Sequence, residues 1–539
     1  MVSLLLLSLI GCDRGPEPSE VKTEEAAWPQ MSPVSVLTRA SLDLRGTRPT
    51  DAEIAAVEED PAALDGLLDD LLQDERFADR VVDLYSELYL TRSETFYINT
   101  SGLDLSSTPD FLLAVGEEPL RLLAEIAVED LPYTEVVTAD WTMANEDLAQ
   151  VHPVDYPARG EGWQKVHYTD GRPAAGVLST NGMWWRFVST DSNANRKRAN
   201  TVTRLFLCED YLTRPIEFDR NINLLEEDAV KEALKTNAGC QNCHVSLDPL
   251  ASFFFGFYWY NYTSPAEATV YHPEREKLWS GATEVAPGYY GEAGYSLEDL
   301  GQFIAGDARF PTCAVEQGFE LLMRRDATLA DQTRLNAHRE AFLAGGLTLR
   351  SLFRSLLDDP AYRAADTDDE GAVTSKLVTV DILAREVEDL TGFHWTYSGY
   401  DMLRTDAVGL RTLAGGVDGY TVTKSATSPT TTLVLVQEAL AEAAADYAIQ
   451  REREQDPGAR RLFTEIDFTE TPEAGEAAMI AQIQALHLRL FGDRVAADGE
   501  EVAANLDLWR DLYAVERDPV AAWSGLLSAL MRDPEFVLY

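Results

Sequence analysis

The chain has 539 residues, 91 of them acidic and 45 basic, for a formal charge of −46. That balance excludes nucleic-acid binding through a basic surface, which needs positive patches, and argues against docking on anionic lipid. Hydrophobic residues make up 45 % of the chain, which excludes a disordered acidic tail, and the length suits three or four domains of about 150 residues each.

Residues 4–10 are apolar apart from Ser8. The run is too short to span a bilayer and reads as a signal-peptide core. Leu9-Ile10-Gly11-Cys12 resembles a bacterial lipobox, although no Lys or Arg precedes the run. The resemblance implies a lipoprotein-type signal over 1–11 and a lipid on Cys12; the alternative is an ordinary secretory signal with Cys12 incidental. Residues 12–31, rich in Pro and Glu, read as a tether. No other stretch approaches about 18 uninterrupted apolar residues, so the lipid is the expected membrane contact. The body is expected outside the cytoplasm, where disulfides persist.

Apolar periodicity predicts helices over 50–59, 76–91, 110–130, 226–238, 296–306, 313–325, 328–344, 376–391, 433–453, 474–491 and 500–516. One helical unit occurs three times. Leu64, Leu67, Leu68, Leu71 and Leu72 draw a stripe, followed by Asp74 and Phe77. Leu349, Leu352, Phe353, Leu356, Leu357, Asp359 and Tyr362 repeat those offsets, as do Trp523, Leu526, Leu527, Leu530, Met531, Asp533 and Phe536. Asp is placed to cap a following short helix, and the aromatic to fold back onto the stripe. The best strand signal is Tyr420-Thr421-Val422-Thr423, after a Gly-rich turn at 415–419 that lacks a dinucleotide-site context. Long loops lie around 150–180 and 261–295.

The chemically distinctive segment is Cys240-Gln241-Asn242-Cys243-His244. A C-x-x-C-H run is the attachment site of c-type haem: two thiols reach the two vinyl groups, and the adjacent imidazole reaches the iron. Three rival readings stand beside it. A redox dithiol needs a βαβ pattern that is lacking. A zinc site needs a second Cys/His pair that is missing. A short-loop disulfide leaves His244 incidental. A six-coordinate iron needs another ligand, for which Met183, Met323, Met402 and His167 are candidates, each also readable as core or loop. Without one, the iron is open to small ligands or peroxide. Cys208 and Cys313 flank the motif, either paired around it or as two buried thiols.

Several segments together resemble the planctomycete-type cytochrome c-like families, which occur as modules in large exported bacterial proteins. They are residues 37–50, 130–135, 138–145 and 175–180, then Arg198, Leu207-Cys208, Cys240 to His244 and Asp248-Pro249-Leu250, and finally 310–362. The likeness covers about residues 35–365. It implies a mostly helical exported protein with a haem-c-like motif and no particular substrate. Two features depart from the family. Residues 251–259 are strongly aromatic, fit to wall a haem pocket or to fill a core, and the usual proline-rich stretch is reduced to Pro215.

The expected fold is mainly α, with several helical modules in series, long irregular loops and few strands. The modules are 32–110, 111–200, 201–295 with the CxxCH, 296–365 and 366–539. The expected function is an extracytoplasmic, lipid-anchored protein with one covalent haem c on Cys240 and Cys243, His244 on its iron, and a redox role. Its redox partner is expected to be basic, and nucleic acid is not a partner. The alternative is a surface scaffold whose CxxCH is a structural disulfide. No HExxH or GxSxG pattern supports hydrolysis.

Overall fold

The periodic stripes become helices. A computed structural model describes residues 28–539, apart from 97, 191, 216–221, 224, 258–263, 366–371, 374, 407 and 408. Cys12, the signal segment, most of the tether, Tyr258 and Trp259 therefore lie outside the described residues. Among those described, 23 α-helices alternate with short 3-10 turns, and six strands of two or three residues pair into three antiparallel ribbons. The fold is mainly α.

Local chemistry sets the helix ends. Ser32 caps Pro33–Arg45 through its side chain, and Gly46 ends that helix at φ 74°, a left-handed turn open to a residue without Cβ. Thr50 and Glu53 then form a capping box on Asp51–Glu59. Near the C-terminus Gly492, at φ 81°, ends Glu476–Phe491 in the same way.

The three repeated units behave alike. Their stripes lie on Ala63–Leu71, Leu349–Leu357 and Pro519–Met531. After each, the aspartate accepts from the backbone N–H two residues on: Asp74 from Arg76, Asp359 from Ala361, Asp533 from Glu535. Phe77, Tyr362 and Phe536 are buried. The first two copies meet directly, Phe77 standing edge-on to Phe353 at 5.7 Å and Arg354 pairing with Asp65 and Asp69.

One large apolar core draws on residues from Val36 to Val373. A second runs from Leu377 to Val537 and takes in Leu42 from the first helix. A third, smaller one gathers Phe96, Phe111, Val115, Ala144, Leu148, Val166 and Trp185. The two larger bodies also meet through buried charge. Arg48 reaches Glu386 at 2.5 Å, Arg385 reaches Asp83 at 2.7 Å, and Lys376 pairs with Asp43. The C-terminal Tyr539 donates its hydroxyl to Asp43 at 2.7 Å.

The strand expected at 420–423 is instead an irregular loop. Asp418 is the reason. Its Oδ1 accepts from the backbone N–H groups of Tyr420, Thr421 and Val422 at 2.7, 2.7 and 2.8 Å, so their donors curl around one carboxylate rather than facing a neighbouring strand.

Candidate functional site

The CxxCH residues sit on the helix Ala238–Ala251. Asn237 starts it: its side-chain oxygen accepts from Gly239 N at 2.9 Å and Cys240 N at 3.2 Å. Helix thus begins just before the first cysteine, which puts Cys240 and Cys243 three residues apart on one face and His244 one turn below Cys240. Both thiols are free and half-buried, Cys243 against the edge of the large core.

His244 is held from behind. Its Nδ1 lies 2.8 Å from Asp248 Oδ1, one turn further along the helix. Asp248 also accepts a forked pair from Arg196, at 2.7 and 3.0 Å. Burial pushes the Asp248 carboxyl up, but the hydrogen bonds from His244 and Arg196 outweigh it and hold the pKa below the ordinary carboxylate range. With Nδ1 committed, no hydrogen bond among the described residues engages Nε2.

The rim is aromatic and cationic. Arg214 stacks over Tyr211 at 4.1 Å, donates to Asn242 O at 3.0 Å and reaches the Cys243 thiol. The hydroxyls of Tyr211 and Ser246 share a hydrogen bond of 2.7 Å. Glu209 gathers Arg214, Arg309 and the Tyr290 hydroxyl.

The flanking cysteines differ from the motif pair. Cys208 and Cys313 are joined in a disulfide with Cα atoms 5.2 Å apart. It ties the end of Arg196–Leu207 to Arg309–Met323 and closes a 105-residue separation that contains the motif.

The four candidate sixth ligands are scattered. Met183 and Met323 are buried inside the large core at 0 % and 2 % exposure, so either can bind iron only if a haem enters that core. Met402 lies in a loop, its backbone N–H bonded to Trp395 O at 2.9 Å. His167 is exposed and lies beside Asp155. No hydrogen bond or ring contact among the described residues joins any of them to the CxxCH helix. Of the aromatic run, Phe253, Phe254, Phe255 and Phe257 are buried, with Phe254 and Phe257 packed on Trp184 at 4.7 and 5.8 Å.

The donor set fits a covalent haem: two unpaired thiols at the required spacing and one imidazole with a free Nε2. A haem brings four iron ligands of its own, so one His suffices. Among the described residues no group of three or more His, Cys, Asp or Glu is placed to hold a bare metal ion, which leaves the zinc reading without a ligand set. Asp248 is the residue beside His244 that the motif alone does not announce. Its signal is a carboxylate four residues after His244, the spacing of one helical turn. Compared with known proteins, the chain matches no family model, no curated protein and no solved structure.

Proposed function

We propose that this is an extracytoplasmic, lipid-anchored redox protein carrying one haem c. The observation that supports it is the pair of free thiols on one helix face beside a histidine whose Nε2 is unbonded. Cys240 and Cys243 would form the thioether links and His244 would hold the iron, while the bound haem supplies one-electron redox chemistry. Asp248 keeps the proton on Nδ1, fixes the ring orientation and raises the basicity of Nε2. Arg196 keeps Asp248 ionised and in place. The −46 charge makes the partner basic and the encounter salt-sensitive. Outside the cytoplasm is also where the Cys208–Cys313 disulfide persists.

The test is expression with haem c maturation machinery, followed by denaturation and a pyridine haemochrome spectrum. Covalent haem is expected, and Cys240→Ser with Cys243→Ser together should abolish it. A chain that emerges without covalent haem, or a double variant that keeps it, overturns the reading. In that event a Cys240–Cys243 disulfide, found as blocked thiols under non-reducing conditions, marks the scaffold alternative.

A further inference from the structure

A cleft opens where the first helix meets the last residues of the chain. Its volume is about 440 Å³, and small-molecule sites span about 300–1,000 Å³. The helix Pro33–Arg45, with Arg48 in the loop after it, forms one wall. The end of Glu476–Phe491, with Asp493 just beyond, and the C-terminal Glu535 and Leu538 form the other. The walls belong to the two large bodies, so an occupant would touch both.

The cleft presents three kinds of surface. Met31, Val34, Phe491 and Leu538 are apolar and only partly buried. Asp493 and Glu535 are acidic, and among the described residues neither side chain forms an ion pair or a hydrogen bond. Glu58, by contrast, is taken by Arg494 at 2.7 and 2.9 Å. The buried cation is Arg48, 8 % exposed. Its Nε donates to Glu386 at 2.5 Å, while its Nη2 has no hydrogen-bond partner among the described residues. A buried donor left unmade is costly, and a guanidinium fork matches a carboxylate. Arg39, in the same wall, already gives Nη1 to Tyr362 O and Val373 O at 2.7 Å.

We propose that the cleft binds an apolar zwitterion, an α-amino acid or a dipeptide. Its ammonium group would lie between Asp493 and Glu535, its carboxylate on Arg48, and its side chain against Phe491, Met31 and Leu538. Each charge of such a ligand meets a group with bonding capacity left over, and its apolar part covers partly exposed side chains. The charged groups also sense one another. Burial first, then Asp533 and Asp493, pushes the Glu535 pKa up, and Arg48 pulls against them. An ammonium group between the acids removes that repulsion. A simple anion would face two uncompensated carboxylates, and a simple amine would leave Arg48 Nη2 unmatched. The inference is independent of haem attachment.

The experiment is calorimetric titration of the full chain with leucine, leucyl-leucine, isoamylamine and isocaproate, the last two being leucine without its carboxylate and without its amine. Saturable binding of leucine, of the dipeptide or of both is expected, at least tenfold tighter than that of either singly charged analogue. Asp493→Asn with Glu535→Gln should weaken it tenfold or more. So should Arg48→Lys, which keeps a positive charge facing Glu386 and removes the fork. Glu298→Gln, on the helix Leu297–Gly306 outside the cleft, should leave it unchanged. Tighter binding of the dipeptide identifies a peptide as the ligand; equal or tighter binding of leucine identifies the free amino acid. Melting without ligand checks the fold: the double acid variant should melt at or above the parent, having lost like charges, and should lack the rise that the zwitterion produces in the parent. No saturable binding of either zwitterion, an analogue that binds within tenfold of them, or binding that survives the acid substitutions overturns the site.

Discussion

Two buried groups of opposite temper flank Tyr168. Glu118 is 1 % exposed; its Oε1 accepts from Tyr168 at 2.5 Å and Thr142 at 2.9 Å. Burial, only partly opposed by those bonds and by Arg172, pushes its pKa up to about 7. His152 is ringed by Phe111 at 5.7 Å and Trp185 at 5.9 Å, and its Nδ1 has no hydrogen-bond partner among the described residues. Burial and Arg172 lower its pKa to about 3. The signs oppose. From pH 4.5 to 7 the unfolded chain releases the Glu118 proton and the folded chain keeps it, so stability falls as pH rises, by on the order of 3 kcal/mol in all. From pH 6.5 down to 3 the unfolded chain takes up a proton that folded His152 refuses, so stability falls as pH drops. Where the ranges overlap, about pH 4.5 to 6.5, the slopes cancel and conceal each other. Removing one group exposes the other. Urea midpoints across pH should show Glu118→Gln gaining on the parent as pH climbs from 5 to 7, and His152→Gln gaining as pH drops from 6.5 to 4.5. Difference curves flat in pH would refute the pair of assignments.

Elements were legible where the physics is local. The stripes that predict helices at 433–453 and 500–516 correspond to Thr431–Glu452 and Glu500–Glu516, because a 3.6-residue apolar period needs only one face to bury. The caps at Asp74, Asp359 and Asp533 were legible for the same reason. Tyr420 to Thr423 misleads because strand propensity ignores a competing side chain, here Asp418. The CxxCH and its i+4 carboxylate can be read from sequence, since one helix carries both. The choice between a Cys208–Cys313 bridge and two free thiols could not be read, because it depends on a distance set by packing across 105 residues. That bridge is an element-scale constraint with a measurable effect. A closed loop of about 100 residues stabilises by up to about 5 kcal/mol in the chain-entropy account, and by about 2–4 kcal/mol in typical cases. Cys208→Ser with Cys313→Ser should therefore lower the urea midpoint and, at unchanged m, the unfolding free energy by an amount in that range, and a reductant should do the same to the parent and nothing to the variant. Equal midpoints for parent and variant without reductant would show that the bridge adds no stability.

At the scale of the whole molecule, the −46 charge repels itself on the outside, while the junction between the two large bodies is locally balanced. Asp83, 3 % exposed, accepts from Arg80 at 3.0 Å, Arg92 at 2.9 Å and Arg385 at 2.7 Å. Asp381 pairs with Arg411 at 2.9 Å and Arg92 at 3.3 Å, and Glu117 with Arg92 at 3.2 Å. Burial and the nearby Asp381 push the Asp83 carboxyl up, but the three arginines outweigh them and hold its pKa below the ordinary range. Its contribution is present above the unfolded carboxylate pKa and is lost as pH falls through the lowered folded value. Apolar contact across the junction is thinner, Leu42 being the N-terminal residue that enters the second core. Buried ion pairs in such a place add little net stability against an apolar alternative, but losing one partner leaves a charge stranded. Asp83→Asn leaves Arg80 without an ion pair among the described residues, removes one carboxylate each from Arg92 and Arg385, and should cost about 3–5 kcal/mol. Since residues 377–537 keep their own core, the loss should appear as a split: one denaturation transition in the parent, two in the variant, the earlier one for separation of the bodies. Salt separates this from surface electrostatics. At about 1 M NaCl, where the Debye length is about 3 Å, screening should raise the parent by relieving exterior repulsion and leave the Asp83→Asn deficit nearly intact. A single unshifted transition in Asp83→Asn would mean that apolar packing, not the buried network, holds the bodies together.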